Sequence, residues 1–179
     1  MKKKQENTIY KFTATTLAGK EIALSEYSGK VLLIVNTATH CGHVGQLQTL
    51  ENVYQQFKDL GLEVLGFPSN QFANQEPLEG NSIGEFCTKN YGVSFQLFDK
   101  INVRGKNAHP LFTFFGDKKQ NGKIAVHPLW NYYKFLIDRN GNVIDYFFTY
   151  TQPNNKRIIK AIKKALHSSP ANADFAFVQ

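Results

Sequence analysis

The stretch from residue 31 to residue 69 constrains the fold more than any other part of the chain. It opens on VLLIVNTA, residues 31–38, a continuous apolar run of the kind that makes a strand buried on both faces, and closes on a second, LEVLGFPS, residues 62–69. Between them Leu47, Leu50, Val53, Tyr54, Phe57 and Leu60 recur with the helical period of about 3.6 residues, and Gly61 supplies a stop. Strand, helix and strand in this order form a βαβ unit, which requires a parallel pair joined by a right-handed crossover.

The later pattern is different. YKFLID and NVIDYFF, residues 133–138 and 142–148, flank Arg139, Asn140 and Gly141, a hairpin signal that predicts antiparallel strands. Residues 154–166 place Ile158, Ile159, Ile162, Ala165 and Leu166 on a stripe opposite Lys156, Lys160, Lys163 and Lys164, the pattern of a helix docked on a sheet. Near the amino end, residues 9–13 and 21–24 flank a Leu-Ala-Gly-Lys turn and predict a hairpin that covers a sheet edge. The sum is an α/β chain in the thioredoxin-like arrangement: a mixed central β-sheet flanked by α-helices, with an N-terminal β-hairpin. No repeat, low-complexity tract or linker divides it, so one domain is expected over residues 1–179, with a core over about residues 8–166 and flexible ends.

Composition excludes several function classes. The chain has 179 residues, of which 42% are hydrophobic and 20% charged, enough for one substantial core. No apolar run approaches the roughly 20 residues that span a bilayer, and a soluble protein is expected. The opening MKKKQENTIYK has the charges of a signal-peptide start, but Gln5, Glu6 and Asn7 stand where the apolar segment would begin, which predicts a cytoplasmic protein. The net charge of +7 is dispersed and no nucleic-acid-binding motif accompanies it, so it reads as a solvated basic surface. No His or Cys cluster has zinc-ligand spacing, and neither a metal nor an organic cofactor is implied.

Two cysteines, Cys41 and Cys87, are too few for a secreted disulfide scaffold and leave three readings: buried ballast, a single nucleophile, or a redox pair. Cys41 follows the first buried strand and falls at or just before the amino end of the helix. Exposed backbone N–H groups and the helix dipole favour thiolate over thiol at such places, and thiolate is the nucleophile. Cys87 lies in NSIGEFCTKNYG, where Ser82 and Glu85 form a capping-box pattern for a short helix that Gly84 weakens by roughly 1 kcal/mol relative to Ala.

Four segments, NTATHCG (residues 36–42), GFPSNQFANQEP (66–77), VRGKNAHPLF (103–112) and LWNYYKFLID (129–138), resemble the glutathione peroxidases in order and spacing. The resemblance spans residues 8–165. It implies a peroxidase that reduces hydrogen peroxide and organic or lipid hydroperoxides. The family's peroxidatic Cys or selenocysteine is held by a Gln, a Trp and an Asn, which fall on Cys41, Gln75, Trp130 and Asn131; Gln71, in SNQF, is not the family's catalytic Gln. Neutral amide and indole donors can hold a thiolate and stabilise a developing alkoxide. Cys41 would attack the terminal peroxide oxygen and become a sulfenic acid.

Cys87 matches the position at which some members carry a resolving cysteine, form an internal disulfide and use thioredoxin. Local unfolding of residues 82–90 is expected to deliver it to Cys41. Ser69 stands where the family usually has Cys, which leaves Cys87 as the only internal partner. His40 and His43 flank Cys41, where either could tune the thiolate or face solvent, and both stay outside the catalytic set. The short connection between residues 112 and 130 lacks the extra loop of tetrameric members. It implies a monomer with an open site, where Phe72, Leu129 and Tyr132 would offer apolar surface. Three alternatives stand beside the thioredoxin-dependent enzyme: a one-cysteine enzyme that uses glutathione, a redox sensor, and a thioredoxin-like reductase. The last is disfavoured because Cys41-Gly42-His43-Val44 holds no second cysteine.

Overall fold

The computed structural model of the chain describes residues 7–169; the expectation about the two ends lies outside the described residues. Strands β1 (Thr13–Thr15) and β2 (Glu21–Ala23) form a hairpin ahead of β3 (Val31–Thr37), α1 (Gln46–Phe57) and β4 (Leu62–Pro68). Helix α2 (Asn81–Tyr91), β5 (Gln96–Leu97), α3 (Pro110–Gly116) and α4 (Lys118–Asn121) follow, then β6 (Lys134–Ile137), β7 (Val143–Phe147) and α5 (Lys156–His167).

All seven residues of β3 are buried. A strand with no solvated face must have a neighbour on each edge and a layer on each side. Accordingly the five-stranded sheet runs β5-β4-β3-β6-β7. β3 pairs in parallel with β4, from Val31 opposite Leu62 to Thr37 opposite Pro68, and antiparallel with β6. β6 and β7 are the predicted hairpin. The sheet is mixed and thioredoxin-like.

Side chains alternate across a strand, so β3 feeds two cores. Val31, Leu33 and Val35 meet Leu47, Leu50 and Val53 of α1, Ile158 and Ile162 of α5, and Ile83 of α2. Both cysteines lie in this core. Leu32 and Ile34 face an aromatic core built by α3, where the Phe115 and Phe135 rings stack at 4.2 Å. The α1 stripe ends at Phe57; a 3₁₀ turn, Lys58–Leu60, follows and leaves Leu60 exposed, and Gly61 reverses the chain at a left-handed φ of 102°. Asn155 caps α5, its side-chain oxygen accepting the Arg157 N–H.

Two local expectations are corrected. Ile9–Lys11 is a 3₁₀ turn rather than the start of a strand. Ile9 is fully buried and its N–H donates to Gly141 O, while the Tyr10 hydroxyl donates to Arg139 O, so contacts with the β6–β7 turn hold this segment off β2. The shorter hairpin still covers the edge at β5, through a bridge between Thr16 and Phe98 and a 2.7 Å bond from Asp99 N–H to Thr15 O. The Ser82/Glu85 capping box is not formed either. α2 starts at Asn81, so Ser82 sits inside the first turn, and the cap is Gly80, with φ 49° and no side-chain hydrogen bond.

One side chain in the central sheet breaks the apolar pattern. Lys134 is fully buried, opposite Val35 of β3 and Phe147 of β7, on the face that carries both cysteines. Its Nζ donates to Tyr132 O at 2.7 Å and reaches Phe148 O and Thr149 O at 3.4 Å each. Burial pulls its pKa down to about 7. Unfolding restores the ordinary value, so the unfolded chain binds more protons between the two values and stability rises with pH there. The cost of the charged form is fully present below the folded value. We therefore expect the unfolding free energy of the wild-type chain to gain a few kcal/mol on that of Lys134→Met between about pH 7 and pH 10 in urea titrations. A difference that stays flat with pH would contradict burial of the amine.

Candidate active site

The site is assembled where β3 ends, because there the backbone leaves the ladder and polar side chains must take over its pairing. Asn36 is fully buried and binds residues 130–133. Its Nδ2 donates to Trp130 O at 2.9 Å, its Oδ1 accepts the Tyr133 N–H at 2.9 Å, and its backbone O accepts the Tyr132 N–H at 2.7 Å. Three residues on, Thr39 donates its N–H and hydroxyl to the two oxygens of the fully buried Glu76 carboxylate, at 2.9 and 2.6 Å. Glu76 N–H in turn donates to Asn70 Oδ1, and Lys100 Nζ donates to Glu76 O. Burial raises the Glu76 pKa; the Thr39 hydrogen bonds and the charge of Lys100 oppose the rise.

These clamps bring two of the predicted segments to the turn that holds Cys41. His40 N–H donates to Gln75 O at 2.9 Å, and Asn131 Nδ2 donates to Gln75 Oε1 at 3.0 Å. Gln75 and Asn131 are thus in contact, and the backbone of Gln75 is bonded to the residue before Cys41. Trp130 is 37% exposed, with its ring 5.8 Å from that of Phe72. Ala73 and Asn74, both at φ 53°, turn the chain sharply into Gln75.

Cys41 is buried, and the His43 N–H points at its Sγ from 3.4 Å. The expected place at or just before the helix is corrected: residues 42–45 intervene as a run of turns, with Val44 N–H bonded to Cys41 O and Gln46 N–H to His43 O. The donor facing the sulfur is therefore a turn amide. Cys87, on the inner face of α2, is free like Cys41 and more deeply buried; burial first, and then the charge of Glu76, push its thiol up to about 12.

Tyr132 lies within electrostatic reach of both thiols. Its hydroxyl donates to Ala38 O at 2.7 Å, and burial, then the charges of Cys41, Cys87 and Glu76, hold it well above the ordinary phenol value. Tyr132 is fully buried and Phe72 nearly so, which corrects the expectation that they offer apolar surface; Leu129 does, at 65% exposure. Tyr132 takes a left-handed φ of 65°, which turns its ring into the core.

The remaining motif side chains have other partners. The Gln71 amide accepts the Val103 and Arg104 N–H groups and donates to Arg104 O, joining two loops. His40 is exposed and stacks on Phe86; half-buried His43 meets Tyr150 edge-on. Sequence reasoning missed Asn36, Thr39 and Glu76. The signal was a polar residue closing an otherwise apolar strand and an acid inside a loop motif. Among the described residues, no group of three His, Cys, Asp or Glu side chains is placed to hold a metal ion.

Comparison with known proteins agrees with this architecture. The family model described as glutathione peroxidase matches residues 9–116. A glutathione peroxidase of Lactococcus lactis is 48% identical over 157 residues, covering 88% of this chain and 98% of the relative. A hydroperoxy fatty acid reductase of Synechocystis is 46% identical over 153 residues, covering 83% of this chain and 90% of the relative. The apo crystal structure of Trgpx superposes with a TM-score of 0.72 at 36% identity, over 90% of this chain and 97% of that one. With a thioredoxin-like sheet and relatives matched over nearly their whole length, the chain belongs to the glutathione peroxidase family and is a thiol peroxidase.

Proposed function

We propose that Cys41 is the peroxidatic nucleophile, that Gln75, Trp130 and Asn131 serve it, and that Cys87 resolves the oxidised product for reduction by thioredoxin. The observation that carries the site is the Asn131 to Gln75 hydrogen bond, formed beside a turn that the His40 to Gln75 bond holds in place. The Cys41 thiolate attacks the terminal oxygen of the hydroperoxide and the O–O bond breaks. The leaving oxygen takes a proton and departs as alcohol or water, and Cys41 is left as a sulfenic acid. Neutral N–H donors stabilise the leaving oxygen without quenching the nucleophile by ion pairing. The Cys87 sulfur then attacks the Cys41 sulfur, water leaves, and a dithiol reductant returns both cysteines to thiols.

A thiol with a pKa near 12 is a poor nucleophile at neutral pH, so the second step needs Cys87 to leave its site. α2 has the features of a segment that opens: no side-chain cap at its N-terminus and Gly84 within it. We also read the chain as a cytoplasmic monomer, in keeping with the short connection between α3 and Trp130; among the described residues no helix is long and apolar enough to cross a membrane.

The substrate range extends to organic and lipid hydroperoxides. Leu129, Trp130, Tyr133, Phe148 and Tyr150 line an open groove of about 530 Å³, with Phe148 51% and Tyr150 82% exposed. An apolar groove that includes Trp130 suits an acyl chain whose hydroperoxide reaches Cys41.

Three outcomes test this reading. Thioredoxin and its reductase should sustain NADPH oxidation with cumene hydroperoxide, and Cys87→Ser should abolish that turnover while leaving a dimedone-reactive sulfenic acid on Cys41. Turnover with glutathione that survives the substitution would make Cys87 structural. In hydrogen exchange, α2 amides should exchange through openings well below the global unfolding energy; protection equal to that of β3 would exclude the opening. Phe148→Ser should lower kcat/KM for a fatty-acid hydroperoxide by about tenfold and leave that for hydrogen peroxide unchanged. Equal losses for both would remove the groove from substrate binding.

A further inference from the structure

Lys134 has no role in the chemistry above, yet its site is built around it. A lysine amine enclosed by Val35, Phe147 and the cysteine-bearing core loses its hydration, and a methionine of similar length would fill the space without that loss. Its Nζ meets three backbone carbonyls, those of Tyr132, Phe148 and Thr149.

Each carbonyl belongs to a segment of the proposed site. Tyr132 is held at its left-handed φ of 65° and follows Trp130 and Asn131 directly. The Thr149 hydroxyl donates to Asn131 O at 2.7 Å, and Thr149 O accepts Gln46 Nε2, also at 2.7 Å, from the first residue of α1. Phe148 lines the apolar groove. The amine therefore sits where residues 130–132, residues 148–149 and the start of α1 converge. Asn131 needs such an external hold, because among the described residues its buried side-chain oxygen has no hydrogen-bond partner and its Nδ2 is committed to Gln75.

We propose that Lys134 is a positioning residue for peroxide reduction: by drawing the carbonyls of Tyr132, Phe148 and Thr149 together, its amino group fixes Asn131 and Trp130 against Gln75 and the Cys41 turn. The inference rests on the assignment of Cys41, Gln75, Trp130 and Asn131 as the peroxidatic site. Lys134 touches none of the reacting atoms. It acts through the backbone of the loop that carries two of the site residues, and small displacements of such groups are enough to slow a reaction substantially.

Trp130 is the only tryptophan in the chain, so its emission reports on this loop. The experiment compares wild type, Lys134→Met, Thr149→Val and the double variant. It measures the single-turnover rate constant of Cys41 oxidation by hydrogen peroxide, confirmed by mass spectrometry, alongside the urea midpoint at pH 7 and the Trp130 emission spectrum. Lys134→Met is expected to lose about tenfold or more in rate, with a shifted Trp130 emission and an unchanged or higher urea midpoint. Thr149→Val is expected to slow the same step, and the double variant to lose no more than the worse single one, because both act on one node. Lys134→Met with the wild-type rate, or with a rate loss that follows a loss of stability, overturns the proposal. If Lys134→Met does not fold, Thr149→Val at the wild-type rate overturns it. Wild-type Cys41 that peroxide leaves unoxidised refutes the site assignment itself, an outcome distinct from either.

Discussion

The rest of the molecule depends on one constraint: β3 has no face toward water. Seven consecutive buried residues demand a strand on each side and a layer above and below, and the mixed sheet with helices on both faces satisfies that demand. The same constraint makes the strand's end a difficult place. Beyond Thr37 the ladder stops while the chain is still buried, so backbone groups that cannot reach water must find side-chain partners. Asn36 supplies them toward residues 130–133 and Glu76 supplies them toward Thr39. Segments far apart in sequence converge on Cys41 because they complete the hydrogen bonding of a strand that ends indoors.

What was legible in the sequence follows from how far each signal is local. The apolar runs of β3 and β4, the helical periods of α1 and α5 and the turn signal of the β6–β7 hairpin are written within short windows, and those elements lie where the pattern puts them. The turn at Ile9–Lys11 was not legible, because Ile-Tyr-Lys reads as the start of a strand until the β6–β7 turn, more than a hundred residues away, takes the Ile9 backbone N–H. The capping box at Ser82 failed for a different reason: the helix is capped at Gly80, two residues before Ser82, which leaves the box out of register. At the site, Cys41, Gln75, Trp130 and Asn131 came from motif resemblance, and the structure adds the contact between the two amides. Glu76, Thr39 and Lys134 were silent because a buried acid, hydroxyl or amine is identified by what surrounds it.

The two cysteines share a core but are held differently. Cys41 sits in a turn with a backbone amide facing its sulfur, whereas Cys87 is locked on a helix by apolar neighbours. The polar groups around them are costly to bury and are paired in most cases, which is how a core keeps hydrogen-bonded groups next to a thiol. Among the described residues, the buried side-chain oxygens of Gln46, Ser69 and Asn131 without hydrogen-bond partners are exceptions in the same neighbourhood, so this end of the sheet is less completely satisfied than its middle.

Helix α2 also has a kinetic meaning. In the proposed cycle a sulfenic acid on Cys41 waits for the helix to open, and during that wait a second peroxide molecule competes for the same sulfur and converts it to a sulfinic acid that no thiol restores. In that cycle the fraction of enzyme lost per turnover would be set by the opening rate of α2 against the peroxide concentration. The stability of eleven residues would then act as a fuse rating, defining the oxidant load above which the catalyst retires itself.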